Sequence, residues 1–215
     1  MSESLVTIVD YGSGNLLSVA RALEHVGAKT RLSHDAAEIE NAERLLLPGV
    51  GAFAAGMQGL RERGLIEPIR RYAISGRPLL GICLGMQMLA SMSEEFGEHE
   101  GLGIIPGRVV PVPSHDVYGS SQKIPHIGWA DMSPTVQSGW DGTIFEGTRD
   151  GSSVYLVHSF HFEPSDSSHR LADFFYGGHR LTAAVRLGST IGCQFHPEKS
   201  GEVGLALLGA FLRLT

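Results

Sequence analysis

Over its first ninety residues the chain alternates short apolar β-type runs with stretches of helical period, and glycine-rich turns stand at the junctions. LVTIVD (5–10) ends at the turn YGSGN. NLLSVARALEHVG follows, with Leu16, Val19, Leu23 and Val26 at three- and four-residue spacing and Gly27 as a stop. AKTRLS is a second strand candidate. An apolar run at 45–47 leads into Pro48 and the loop PGVG. A helical pattern then runs from about 56 to 75, with breaks expected at Gly64 and Pro68. PLLGI is the next strand, and LGMQMLASM reads as a helix that starts directly after Cys83. Strands separated by helices pair in parallel through crossovers, so this pattern predicts βαβ units with helices on both faces.

The second half changes character. GRVVPVP, IPHIGWADM, TIFEG, SVYLVHSFHFEP, LTAAVRLG and STIGCQFHPEKS are short strand-like runs between turn residues, which predicts an antiparallel section. The polar stretch 114–122, SHDVYGSSQ, reads as a mobile loop. SGEVGLALLGAFLRLT closes the chain as a helix, with Ser200 as its N-cap, Glu202 in its first turn, and Val203, Leu207, Ala210 and Phe211 on one face. No repeat, low-complexity tract or linker interrupts the pattern. The expected fold is therefore α/β: one domain over residues 1–215, with a central mostly parallel sheet flanked by helices and an additional antiparallel section.

Composition excludes several classes of function. Apolar residues are 42% and charged residues 19%, the balance of an ordinary globular chain. The net charge is −6, the lysines are Lys29, Lys123 and Lys199, and no basic block exists, so neither nucleic acid nor an anionic membrane is an expected partner. MSESLVTIVD has no basic start, and no apolar run is long enough to span a bilayer, so a soluble cytoplasmic protein is expected. In that compartment Cys83 and Cys193 are two free thiols, each needing its own explanation.

In parallel α/β sheets functional groups collect at the carboxyl ends of the strands. YGSGN, PGVG and Cys83 all fall there. GICLG is a G-x-nucleophile-x-G pattern with cysteine in the nucleophile's place. Its glycines remove side chains where strand and helix crowd. A helix starting at Leu84 turns its positive end to the sulfur, which favours a thiolate, and the Leu84 N–H is placed for an oxyanion. The loop PGVG could complete that oxyanion hole or be a plain connection. By itself GxCxG also fits an inert buried cysteine. A thiolate nucleophile needs a base, and the base needs an orienting group. GCQFHPEKS (192–200) offers His196 and Glu198, two apart across Pro197; they meet only if the chain bends or the pair sits side by side at a strand end. Alone, they fit a strand-end histidine and an exposed glutamate better. Cys193 reads as a core residue. His126 and His158 read as core or interface residues. His158 and His161, three apart in one strand-like run, face opposite ways and form no metal pair, so neither metal nor cofactor is expected.

Taken together, GICLGMQ and QFHPEKS resemble the class I glutamine amidotransferases in order and separation. The resemblance implies a glutaminase in which Cys83 attacks the side-chain amide of L-glutamine, His196 protonates the leaving ammonia and Glu198 orients His196. It implies oxyanion donors at Leu84, Gly51 and Val50, and contacts to glutamine from Gln87, Glu95, Ser159 and Phe160. DYGSGNLLSV, LPGVGAFAAGM, GLGIIPGRV, IPHIGW and VHSF extend the match nearly end to end. They are similar to the branch that supplies ammonia for imidazole glycerol phosphate synthesis in histidine biosynthesis. That branch works as a heterodimer with a (β/α)8-barrel synthase (cyclase) subunit, and Asn15, Trp129 and Lys199 fall at positions near the partner. Ala130 stands where the pattern has a polar residue, His161 where it has an aromatic one, and the 114–122 loop is long. The triad alone would equally serve a cysteine peptidase or a glutaminase feeding another synthase.

Overall fold

The structure, a computed structural model, describes residues 4–135 and 139–214. The first three residues of the N-terminal run and Thr215 at the end of the C-terminal run lie outside the described residues. In chain order the elements are β1 (Leu5–Val9), α1 (Leu16–His25), β2 (Lys29–Ser33), α2 (Ala36–Glu40), β3 (Arg44–Leu47), α3 (Phe53–Glu62), α4 (Ile66–Ile74), β4 (Leu79–Ile82) and α5 (Leu84–Met88). There follow β5 (Met92–Ser93), β6 (His99–Glu100), β7 (Gly107–Pro111), β8 (His126–Pro134), β9 (Ser152–His158), β10 (Phe160–Pro164), β11 (Arg170–Tyr176), β12 (His179–Leu187), β13 (Thr190–Cys193) and α6 (Gly201–Phe211).

One mixed sheet runs in the order β2-β1-β3-β4-β13-β12-β11-β8-β9. Its half from β2 to β13 is parallel and its half from β13 to β9 antiparallel. A smaller sheet, β10-β7-β5-β6, lies apart. Alternate residues of the parallel strands feed two cores. Leu46, Leu80 and Ile82 pack with α1 and α6, while Leu45, Leu47 and Leu79 pack with α3, α4 and α5. No helix among the described residues is long and apolar enough to cross a membrane.

Gly27 ends α1 as expected: at φ +94° it lets the Ala28 N–H reach Leu23 O at 3.0 Å and its own N–H reach Glu24 O. Gly64 closes α3 in the same way. Pro68 breaks nothing, because it occupies the first turn of α4, where no N–H is needed.

Several expectations are corrected. The helix after Cys83 stops at Met88, and Met92 is already in a strand. Its last carbonyls are taken by a distant loop: Leu102 N donates to Met88 O, Ile104 N and Ile105 N to Leu89 O, and Gly103 N to Ala90 O. TIFEG is a turn rather than a strand. Thr143 Oγ1 donates to Trp140 O, Gly142 and Gly147 adopt positive φ, and adjacent Ile144 and Phe145 are both buried, against strand alternation. SVYLVHSFHFEP is two strands, broken at Ser159 and divided between the two sheets. That division, rather than alternation along one strand, separates His158 from His161.

β11 carries no alternation to reveal it; buried Asp173 sits there because Arg170 and Arg180 reach it at 2.6 and 2.8 Å. The short α2 was also unforeseen, though Asp35 caps it through Glu38 N at 2.9 Å. Ser200 stands at the N-cap position of α6 without capping it, since its hydroxyl is engaged elsewhere. The 114–122 loop is folded on itself and onto the β11–β12 turn: Asp116 accepts from Tyr118 N and Ser120 N, and Val117 N donates to Gly177 O.

The tightest contact in the parallel half is between α5 and the end of β3. A Cβ on Gly85 would lie 1.9 Å from Leu47 O, and one on Gly81 2.9 Å from the Gly85 backbone. Both partners are backbone and cannot swing aside. Gly85→Ala is therefore expected to lower stability by about 3 kcal/mol or more. Gly209→Ala, where a Cβ on α6 meets only the Arg213 guanidinium at 3.7 Å, is expected to raise it by about 0.5–1 kcal/mol. Urea midpoints of the two variants check both signs.

Candidate active site

Cys83 joins β4 to α5 at φ +54°, ψ −112°, a strained backbone for a non-glycine residue. Its N–H is tied to Cys193 O at 2.7 Å and its carbonyl to Gln87 N at 3.1 Å, so the turn is held from both sides. Its sulfur lies 3.9 Å from Val157 O, and the residue is 8% exposed.

The neighbouring strand β13 ends at Cys193, and three residues on the chain turns sharply. Pro197–Lys199 form one turn of 3-10 helix led by His196. This bend brings His196 Nδ1 to 2.8 Å from Glu198 Oε1, on a carboxylate side chain only 1% exposed. Ser200 clamps the bend: its hydroxyl donates to His196 O at 2.7 Å and accepts from Tyr155 N at 3.0 Å, while His196 N donates to Tyr155 O. With Nδ1 on the carboxylate, Nε2 is left for Cys83, which also acts on the charge of the ring. Burial alone would lower the His196 pKa, but the hydrogen bonds to Cys83 and Glu198, with their charges, raise it from 6.5 to about 9. Cys193 is wholly buried, and desolvation, with Glu198 nearby, pushes its thiol upward; it is a core residue.

A cleft of about 350 Å³ opens over Cys83. Its lining brings together Val50, Gly51, Leu84, Gln87, Glu95, Ser159, Phe160, His196 and Lys199, all singled out from the sequence, with Pro125, Val157 and His158 added. Glu95 reaches in from the β5–β6 turn, and its carboxylate accepts from Phe53 N at the start of α3. Gln87 is nearly buried and donates to Phe160 O at 2.9 Å and to Gln194 Oε1 at 3.0 Å. Asn15 and Trp129 do not line the cleft. Asn15 heads α1 without a side-chain cap, and Trp129 stands 57% exposed beside Tyr155. Both α1, which follows Asn15, and β9, which pairs with the strand carrying Trp129, pack on the Pro197–Lys199 turn.

Three neighbours were not foreseen. Tyr11 lies under the loop after β3 and donates to Pro48 O at 3.0 Å; burial raises its phenol, and Cys83 adds to the effect. A Cβ on Gly49 would lie 2.8 Å from that hydroxyl, from Gly85 N and from Leu84 Cβ, so only glycine lets the loop settle between them. Gln194 reaches the Cys83 sulfur. Its place beside His196 in GCQFHPEKS was the available signal. His158 donates from Nδ1 to Phe160 O at 2.9 Å, and its Nε2 faces His126 Nδ1 at 3.3 Å. Desolvation lowers His158 to about 4, and also lowers His126, so this pair is neutral. Tyr176 and Phe174 stack on His126. Ala130 packs against the core, and His161, buried in β10, is lowered to about 4 by desolvation.

This fold is that of known amidotransferases. A glutamine amidotransferase crystal structure superposes with a TM-score of 0.69 at 20% identity, covering 93% of this chain and 94% of that one. PurLQS from Thermotoga maritima gives 0.73 at 20% identity over 98% of each chain. At such identity the likeness speaks for the fold. The family model "Glutamine amidotransferase class-I" matches residues 7–213. The chain belongs to the class I glutamine amidotransferases, and glutamine amidotransfer is its activity.

Within that class it groups with the subunit HisH of imidazole glycerol phosphate synthase. The HisH 1 protein of Legionella pneumophila (strain Lens) is 54% identical over 98% of this chain and 100% of its own length. The HisH protein of Syntrophotalea carbinolica is 47% identical over 96% and 98%.

The raised His196 value has a sign that can be tested. A folded pKa of about 9 against an ordinary 6.5 adds stability that is fully present below about 6.5 and is lost as pH rises through about 9. Glu198→Gln removes one of the groups that raise it. The His196 ring titration followed by NMR is expected to fall from about 9 toward 6.5 in that variant.

Proposed function

We propose that this chain is the glutaminase subunit of an imidazole glycerol phosphate synthase, serving histidine biosynthesis, with residues 1–215 acting as one glutaminase unit. The observation that carries the chemistry is that Cys83 and His196 line one cleft, with the Glu198 carboxylate 2.8 Å behind the His196 ring. Thiolate Cys83 attacks the side-chain amide carbon of L-glutamine. The oxyanion that forms is met by N–H groups of Leu84 and of the Val50–Gly51 segment, where charge develops only in the transition state. His196, protonated by virtue of its raised pKa, gives a proton to the leaving nitrogen, and ammonia departs as the C–N bond breaks. Water then attacks the thioester carbon, His196 takes the water's proton, and thiolate leaves as glutamate forms. Glutamine and water have become glutamate and ammonia. Glu198 holds Nδ1 throughout and keeps Nε2 aimed at the sulfur.

Gln87, Glu95, Ser159 and Phe160 hold glutamine. A carboxylate at Glu95 suits the substrate's α-ammonium, since such a charge-assisted contact is about twice as strong as a neutral one. Glu95→Gln is expected to raise the KM for glutamine about tenfold with a smaller effect on kcat, the mark of lost ground-state binding. Steady-state glutaminase kinetics separate the two.

Ammonia released into neutral water becomes ammonium and ceases to be a nucleophile. It must therefore pass to its acceptor out of solvent, which requires an apposed partner. We infer a (β/α)8-barrel synthase, whose active site lies at one end of the barrel, docked on the face that carries Asn15, Trp129 and Lys199. Exposed Leu17 on α1 and Ile127 beside Trp129 support an apolar contact there.

Cys83→Ala is expected to cut glutamine-dependent turnover of the complex by about 10⁴-fold or more while sparing turnover on added ammonium salt. The assay uses the purified chain with the barrel synthase. Full glutaminase activity in Cys83→Ala would refute the triad, and no stimulation of glutaminase by the synthase would refute the partner.

A further inference from the structure

One backbone carbonyl beneath the cleft dictates the orientation of the buried amides around it. Phe160 O can only accept. Gln87 Nε2 lies 2.9 Å from it and 3.0 Å from Gln194 Oε1, which consumes both amide hydrogens of Gln87. Gln194 must therefore offer oxygen to Gln87, so its own NH₂ group faces the other way. That nitrogen lies 3.8 Å from Cys83 Sγ. Turning Gln194 over would set two NH₂ groups against each other, and turning Gln87 over would set its oxygen against Phe160 O. Gln194 is 0% exposed, so water offers no alternative partner.

We propose that Gln194 is a further catalytic residue, which donates an amide N–H to the thiolate of Cys83 and through its oxygen holds Gln87 in register for glutamine. The proposal rests on Cys83 being the nucleophile. A donor aimed at sulfur favours the charged form of the thiol over the neutral one. It acts both before attack and when thiolate leaves the thioester. The helix behind Cys83 has only five residues, so few aligned peptides support the sulfur and a side-chain donor carries more weight. The other titratable groups that face or adjoin Cys83 are His196 after β13, with Glu198 behind it, and Tyr11 from the β1–α1 turn, while Glu95, His158 and Lys199 line the cleft above. Gln87, with both hydrogens spent, has only its oxygen left for the substrate, an acceptor that suits the α-ammonium.

The test is the pH dependence of Cys83 alkylation by iodoacetamide, with the modified residue identified by peptide mass. It is read in the wild type, Gln194→Met and Gln194→Glu. Met fills the same space without a donor, and Glu presents an oxygen to the sulfur. In both, the alkylation midpoint is expected to move up by about one pH unit, the worth of one hydrogen bond to a charged group. In complex with the synthase, kcat is expected to fall about tenfold in both, and in Gln194→Met the KM for glutamine to rise as Gln87 loses its acceptor. A folded variant whose midpoint stays at the wild-type value overturns the proposal, and Glu decides the matter by the same criterion if Met does not fold. The nucleophile reading fails separately: it falls if wild-type protein alkylated at Cys83 still hydrolyses glutamine, whatever Gln194 does.

Discussion

The approach of α5 to the end of β3 is the constraint on which the site depends. With no side chain at Gly85, the first turn of α5 sits directly on the Leu47 carbonyl. That contact forces the chain to reverse within one residue after β4, and Cys83 takes up the strained backbone that results. The reversal lifts the sulfur to the sheet edge beside β13, where the bend after Cys193 delivers His196. Gly49 repeats the same logic one layer away, letting the loop after β3 lie between Tyr11 and α5. Space denied to side chains is thus converted into a fixed position for the Cys83 sulfur.

Electrostatics then separates histidines that burial alone would treat alike. His158 is buried with no carboxylate on its ring and His161 has only the exposed Glu163 at 3.7 Å, and desolvation lowers both to about 4. His196 is buried too, yet it rises to about 9, because a carboxylate at 2.8 Å and the Cys83 sulfur favour its charged form. Of these three rings, the one beside the Cys83 sulfur is the one that favours its protonated form. The neutral pair His126–His158 serves differently: it helps fix the Phe160 carbonyl, the point from which the amides below the cleft take their orientation.

Much of this was legible before any coordinates. Leu16, Val19 and Leu23 announced α1, Gly27 its end, and the alternation of the first ninety residues the parallel half of the sheet, because local periodicity and turn chemistry report local structure. Motif order located Cys83, His196 and Glu198 as well. The errors fell where distant groups decide. The helix after Cys83 was read too long, since its carbonyls end on N–H groups of residues 102–105. TIFEG was read as a strand, though the Thr143 hydroxyl and two glycines turn it. β11 stayed hidden because its buried Asp173 draws on Arg170 and Arg180. Gln194 and Tyr11 were passed over because their hydrogen-bond partners lie far along the chain.

The sequence by itself determined the class of fold, the candidates Cys83, His196 and Glu198, and the glycines that let strand and helix crowd. These depend on residue type and spacing within short segments. Only the tertiary structure decided whether His196 and Glu198 could meet, which required the bend that Ser200 clamps between β9 and β13. It alone decided which residues form the cleft, and which way the buried amides turn, since hydrogen-bond orientation is set by partners more than a hundred residues apart in the chain, as Gln87 and Gln194 are.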